Sequence, residues 1–137
     1  KILKLYLARH ASPQFFTKGP MQIDGTMGLT AGVTEMLVQS NEGYVDLLPA
    51  VPAEWNAGKA NGLKVRGGFE INMTWKDRKP AQLNIHSSSG MLFRLKKPGG
   101  ALTLRDGRGK LIKPRLRENG IIEFPTKAGE NYLVQFK

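Results

Sequence analysis

From Leu63 onward the apolar residues recur with a period of two. Phe69, Ile71, Met73 and Trp75 alternate with Glu70, Asn72 and Thr74. Alternate residues of a strand share a face, so this run buries one face only as a β-strand. Leu83 and Ile85 alternate in the same way. Met91-Leu92-Phe93-Arg94-Leu95 and Leu102-Thr103-Leu104 follow, each bounded by Gly, Ser or Pro. Asp106-Gly107 and Asn119-Gly120 are hairpin dipeptides, because both tolerate positive φ. Ile121 to Phe124 and Tyr132 to Phe136 close the chain as strands. Several short strands joined by turns predict an antiparallel sandwich or roll.

Upstream the period is 3.6. Val33, Met36, Leu37 and Ser40 follow Leu29 in helical steps, predicting a helix from about Leu29 to Ser40 with one apolar face. Gly43 is placed to end it in a left-handed conformation. Residues 2 to 8 carry Ile2, Leu5 and Tyr6 at helical spacing, and Ala11-Ser12-Pro13 stops that segment. Residues 14 to 28 form a loop on this reading, and Asn56-Ala57-Gly58-Lys59-Ala60-Asn61-Gly62 is a turn-rich boundary. The expected organisation is therefore residues 1–60, mainly helical, followed by a β-domain over 61–137. Two short helices cannot bury a core unaided, which predicts a piece of a larger protein. The absence of an initiator methionine points the same way.

Charge divides the chain at the same place. The net charge is +10. Residues 1–60 are balanced, while residues 61–137 hold 16 basic side chains against 6 acidic ones. Lys96, Lys97, Arg105, Arg108, Lys110, Lys113, Arg115 and Arg117 make the densest region. Aromatic residues are not interleaved with them as a stacking platform requires, so nucleic acid is not the expected partner. On strands such charges form the wet face of a sheet. A non-catalytic sandwich binding carbohydrate or polyanion through that face is the rival reading.

Other chemistries find little support. There are no cysteines and only two histidines, His10 and His86, without metal-ligand spacing, so no metal and no cofactor is expected. Ser87-Ser88-Ser89-Gly90 lacks the flanking glycines of a nucleophile elbow. No apolar run approaches the ~20 residues that span a bilayer, and Lys4 interrupts the short apolar start, so neither membrane span nor signal peptide is read here.

One acidic turn remains. In Pro20-Met21-Gln22-Ile23-Asp24-Gly25-Thr26-Met27-Gly28 a single carboxylate stands just ahead of the expected helix. By its chemistry alone Asp24 is a cap or turn residue. Glycoside hydrolysis ordinarily uses two carboxyl groups, and neither Glu35 nor Glu42 is near this turn in the chain, so Asp24 supplies at most half of such a site.

The run Met21 to Gly28, with Thr30-Ala31-Gly32 and Glu35 to Ser40, resembles the C-terminal part of glycoside hydrolase family 95, the inverting α-L-fucosidases. The resemblance continues through Glu42-Gly43, Leu47-Leu48-Pro49-Ala50-Val51-Pro52, Trp55 and Gly62 to Glu70, and ends near Trp75-Lys76-Asp77. It implies an α+β piece of a larger enzyme: the terminal helices of an (α/α)6 barrel and their lead-out over residues 1–60, then a C-terminal antiparallel β-sandwich over 61–137. It also implies that Asp24 lies in the active site, polarising an asparagine outside this chain that helps activate the attacking water. The general acid, a glutamate, also lies outside it. Gln22, Thr26 and Met27 would stand at the substrate pocket. Met21, Thr26 and Met27 replace residues that are usually Phe, Asn and Phe, leaving L-fucose and L-galactose both open. The implied partner is a glycan, and the implied location is extracellular or periplasmic.

Overall fold

In the computed structural model, residues 23–137 are described, together with Leu5, Ala8 and Arg9 of the leading segment, which are helical. The chain divides into two compact units, residues 1–35 and 36–137. Helix α1 spans Ile23–Leu37. It therefore starts earlier than the sequence predicts, and it gives way at Val38 to a strand instead of reaching Ser40. Gly25 and Gly28 suggested a turn, but a glycine costs a helix interior only ~1 kcal/mol, which the surrounding helix formers absorb. Leu29 is buried, and Val33, Met36 and Leu37 are half-buried, so the apolar face follows the expected spacing.

The second unit holds eleven strands. Strands β1 (Val38–Gln39) and β2 (Asp46–Leu47) make a two-stranded pair. A six-stranded sheet has the order β3-β4-β5-β11-β7-β8. Its members are β3 (Gly58–Val65), β4 (Phe69–Lys76), β5 (Lys79–Ser87), β7 (Leu102–Asp106), β8 (Leu111–Ile112) and β11 (Glu130–Phe136). A three-stranded sheet has the order β6-β10-β9, from β6 (Leu92–Lys96), β9 (Arg115–Leu116) and β10 (Ile121–Pro125). All pairings within these sheets are antiparallel. Val45 extends the small sheet: its N–H donates to Arg94 O and its carbonyl accepts from Lys96 N–H, both at 2.9 Å.

The inner faces of the two sheets meet through aromatic rings. Phe69 of β4 stands edge-on to Phe93 of β6 at 4.8 Å, Phe93 lies 5.5 Å from Phe124 of β10, and Phe124 lies 5.6 Å from Tyr132 of β11. Edge-to-face and tilted contacts suit the ring quadrupoles. Ile71, Met73, Leu83, Ile85, Leu95, Leu104 and Val134 complete the fully buried core. The arrangement is consistent with a β-sandwich. Val38, Val45 and Leu47 also belong to that core, so residues 36–60 contribute to the β unit.

The predicted turn at residues 56–62 gives way at Gly58 to the start of β3. Its glycines have specific tasks. Gly62, at φ 71°, takes up the register shift between Ala60 and Leu63, a β-bulge of the kind glycine permits. Gly58 lies against the Trp75 ring. The β4–β5 hairpin turns on Asp77 and Arg78, at φ 53° and 57°. Both positions are left-handed without glycine, and the turn is held by Arg78 N–H donating to Asn56 O at 2.9 Å and Asn56 Nδ2 donating to Asp77 Oδ1 at 3.2 Å.

A buried hydroxyl relay fixes the corner between the sheets. Gly90 N–H donates to Ser87 Oγ, Ser87 Oγ–H to Thr126 Oγ1, and Thr126 Oγ1–H to the Met91 carbonyl. Each group in that chain is satisfied, as burial demands.

Candidate functional site

The residues expected around Asp24 lie at the start of α1. Asp24 is exposed in the first helical turn, and its Oδ1 accepts the Gly25 N–H at 2.9 Å. Met27 is 65% exposed and, three residues on, shares a helix face with Asp24. That face continues through Thr30, Ala31, Thr34 and Glu35, which with Met27 line a shallow open hollow of about 460 Å³. Thr26 belongs to the helix, while its side chain and the whole of Gln22 lie outside the described residues. Glu35 follows Asp24 by eleven positions, ~16 Å along the helix axis. Inverting glycosidases hold their carboxyl groups ~6.5–9.5 Å apart. These two therefore do not form such a pair.

The β unit has its own hollows, on the side of the small sheet. One, of about 220 Å³, is lined by Ser40, Asn41, Tyr44, Arg66, Met91 and Arg94 among others. Ser40 Oγ accepts the Arg66 backbone N–H at 3.1 Å, tying the loop after β1 to the end of β3. Another, of about 670 Å³, is lined by Arg94, Arg115, Leu116, Arg117, Glu118 and Glu123 among others. Arg94 lines both.

Glu123 organises the second hollow. In the register of the small sheet it faces Arg94 on β6 and Arg115 on β9. Its carboxylate accepts from Arg117 Nη2 at 2.6 Å and Arg94 Nε at 3.4 Å, and its side chain is only 7% exposed. The Arg117 hydrogen bond, reinforced by the charge of Arg117 and by Arg94, holds the carboxyl below its ordinary range against the opposing effect of burial. Sequence reasoning missed this group, because the three arginines come from separate strands and loops. The available signal was a lone carboxylate inside the otherwise apolar Ile121-Ile122-Glu123-Phe124.

A depressed carboxyl binds fewer protons in the folded than in the unfolded chain near the bottom of the titration range. Its stabilisation is complete above the unfolded value of ~4.3 and is lost as pH falls through the folded value. Urea midpoints measured from pH 7 downward should therefore fall more steeply below about pH 5 for the native chain than for Glu123→Gln. At pH 7 the variant should have the lower midpoint, since its amide does not balance two guanidinium charges.

Comparisons with known proteins place this architecture. Residues 39–134 match the model of the glycoside hydrolase family 95 C-terminal domain. The chain is 40% identical over 85 residues to "Alpha-L-fucosidase 2" of Arabidopsis thaliana, covering 61% of this chain and 10% of the relative. It is 33% identical over 69 residues to "Probable alpha-fucosidase A" of Aspergillus niger, covering 42% of this chain and 9% of that protein. It thus spans about a tenth of the length of these curated relatives. Among solved structures, a family 39 glycoside hydrolase from Bacteroides cellulosilyticus WH2 aligns with a TM-score of 0.44 at 20% identity, covering 58% of this chain and 17% of that one. With a match to the family model running from Gln39 at the end of β1 to Val134 in β11, the chain belongs to glycoside hydrolase family 95.

Proposed function

We propose that this chain is the C-terminal part of a glycosidase that removes terminal α-L-fucose, or a related L-sugar such as L-galactose, from a glycan with inversion. The observation that carries the reading is the family match over residues 39–134, supported by relatives named as fucosidases. In this reading Asp24 orients and polarises the asparagine that activates water, while the general acid is supplied from outside the chain. Met27, with Gln22 and Thr26, borders the sugar. The fold from residue 36 onward completes the enzyme without holding its acid, so the chain alone is catalytically silent. No cofactor takes part. The enzyme works outside the cell or in the periplasm. Among the described residues no helix is long and apolar enough to cross a membrane.

The test is kinetic. Asp24→Ala in the full-length enzyme should slow hydrolysis of an aryl α-L-fucoside at least about tenfold, the loss of ~1.4 kcal/mol of transition-state stabilisation. Unchanged turnover would remove Asp24 from the site. Hydrolysis by the 137-residue chain alone would overturn the assignment of the acid to another part of the protein.

A further inference from the structure

The two hollows beside the small sheet share Arg94, and together they collect four arginines: Arg66 at one end, Arg94 in the middle, Arg115 and Arg117 at the other. Two carboxylates, Glu123 and Glu118, stand against them. Glu123 is occupied by Arg94 and Arg117, and that pairing fixes two guanidinium groups while leaving each with further donors. Arg66 and Arg115 have no ion-pair partner among the described residues and are exposed.

We propose that these hollows form one binding track for an acidic oligosaccharide, its carboxylate or sulfate groups received by Arg66, Arg94 and Arg115. Arginine presents a planar fork that matches such anions bidentately. The track is also suited to the rest of a sugar. Tyr44 offers a half-buried ring, Ser40 and Asn41 offer hydrogen-bonding groups, and exposed Met91 and Leu116 offer apolar surface to C–H faces. A single tyrosine is no platform for successive bases, which tells against nucleic acid. A peptide that bound by adding a strand would need an open sheet edge, but β9 has only two residues and β6 is already bridged by Val45.

The test uses the full chain in affinity electrophoresis and titration calorimetry against four probes: oligogalacturonate, a sulfated glycosaminoglycan, poly-glutamate and single-stranded DNA, with a neutral glucan as blank. The expected result is binding to a glycan probe ahead of poly-glutamate and DNA, and none to the neutral glucan. The uronate and sulfated arms tell carboxylate from sulfate recognition. Arg66→Ala and Arg115→Ala, which spare the Glu123 ion pairs, should each weaken glycan binding at least about fivefold and lower the salt slope. Lys79→Ala removes the same charge from the β4–β5 hairpin in the large sheet and should leave binding unchanged. Equal loss in Lys79→Ala, stronger binding of DNA or poly-glutamate, or no binding of either acidic glycan would overturn the proposal.

Discussion

Phe93→Ala is expected to lower the unfolding free energy of the β unit by ~3–5 kcal/mol. Phe93 is completely buried and makes one of the two aromatic contacts between the sheets, standing edge-on to Phe69, while it is also tilted against Phe124. Truncation removes the transfer free energy of the ring and leaves a cavity that neither sheet can close, because each is pinned by its own hydrogen-bond ladder. It also removes two aromatic pairs, each worth ~0.5–1.5 kcal/mol beyond area burial. With domain stabilities of ~5–15 kcal/mol, such a loss can consume much of the margin. Phe93→Leu keeps most of the volume and should retain a good part of the stability. Urea unfolding followed by circular dichroism measures both. A leucine variant as unstable as the alanine variant would mean that the cavity is not the cause.

A single methyl group added at Gly58 is expected to cost ~1–3 kcal/mol through overpacking. A β-carbon there would lie 2.3 Å from Trp75 Cζ2 and 2.7 Å from Cη2. The indole cannot simply swing aside. It is 7% exposed, and its Nε1–H donates to the Trp55 carbonyl at 2.9 Å. Gly58→Ala should therefore shift tryptophan fluorescence as well as lower the unfolding midpoint. Combining it with Trp75→Phe, which withdraws the colliding ring atoms, should cost less than the sum of the single changes. Strict additivity would show that the crowding is absent.

These two positions illustrate how much of the fold was legible in the sequence. The alternation from Phe69 to Trp75 was plain because every second residue meets the core and the period of two has no helical rival. The strands around Phe93 and Tyr132 were legible for the same reason. The role of Gly58 was not, since a glycine between Asn, Ala and Lys reads as a turn until the ring packed over it is known. Asp77 and Arg78 escaped because they make a left-handed hairpin turn without its usual glycine, relying on Asn56 from a distant loop. The bounds of α1 were misjudged where Gly25 and Gly28 imitated a loop. Asp24 reads in the sequence as a lone carboxylate, and the role proposed for it rests on resemblance alone. The arginines around Glu123 were legible one by one as wet-face charges; their convergence is a property of strand register, which composition does not reveal.

Strand ends complete the picture. The outer strands β8 and β9 are two residues long, and Lys113-Pro114 separates them. At the opposite margin β3 is broken by its bulge and carries Lys59 and Lys64, while β6 is closed by Val45. Short, charged, proline-flanked or covered margins deny a neighbouring molecule the long row of open amides that templates polymerisation. This unit is therefore built to resist fibril growth, with its sticky strands kept in the middle and its margins left unfit for seeding.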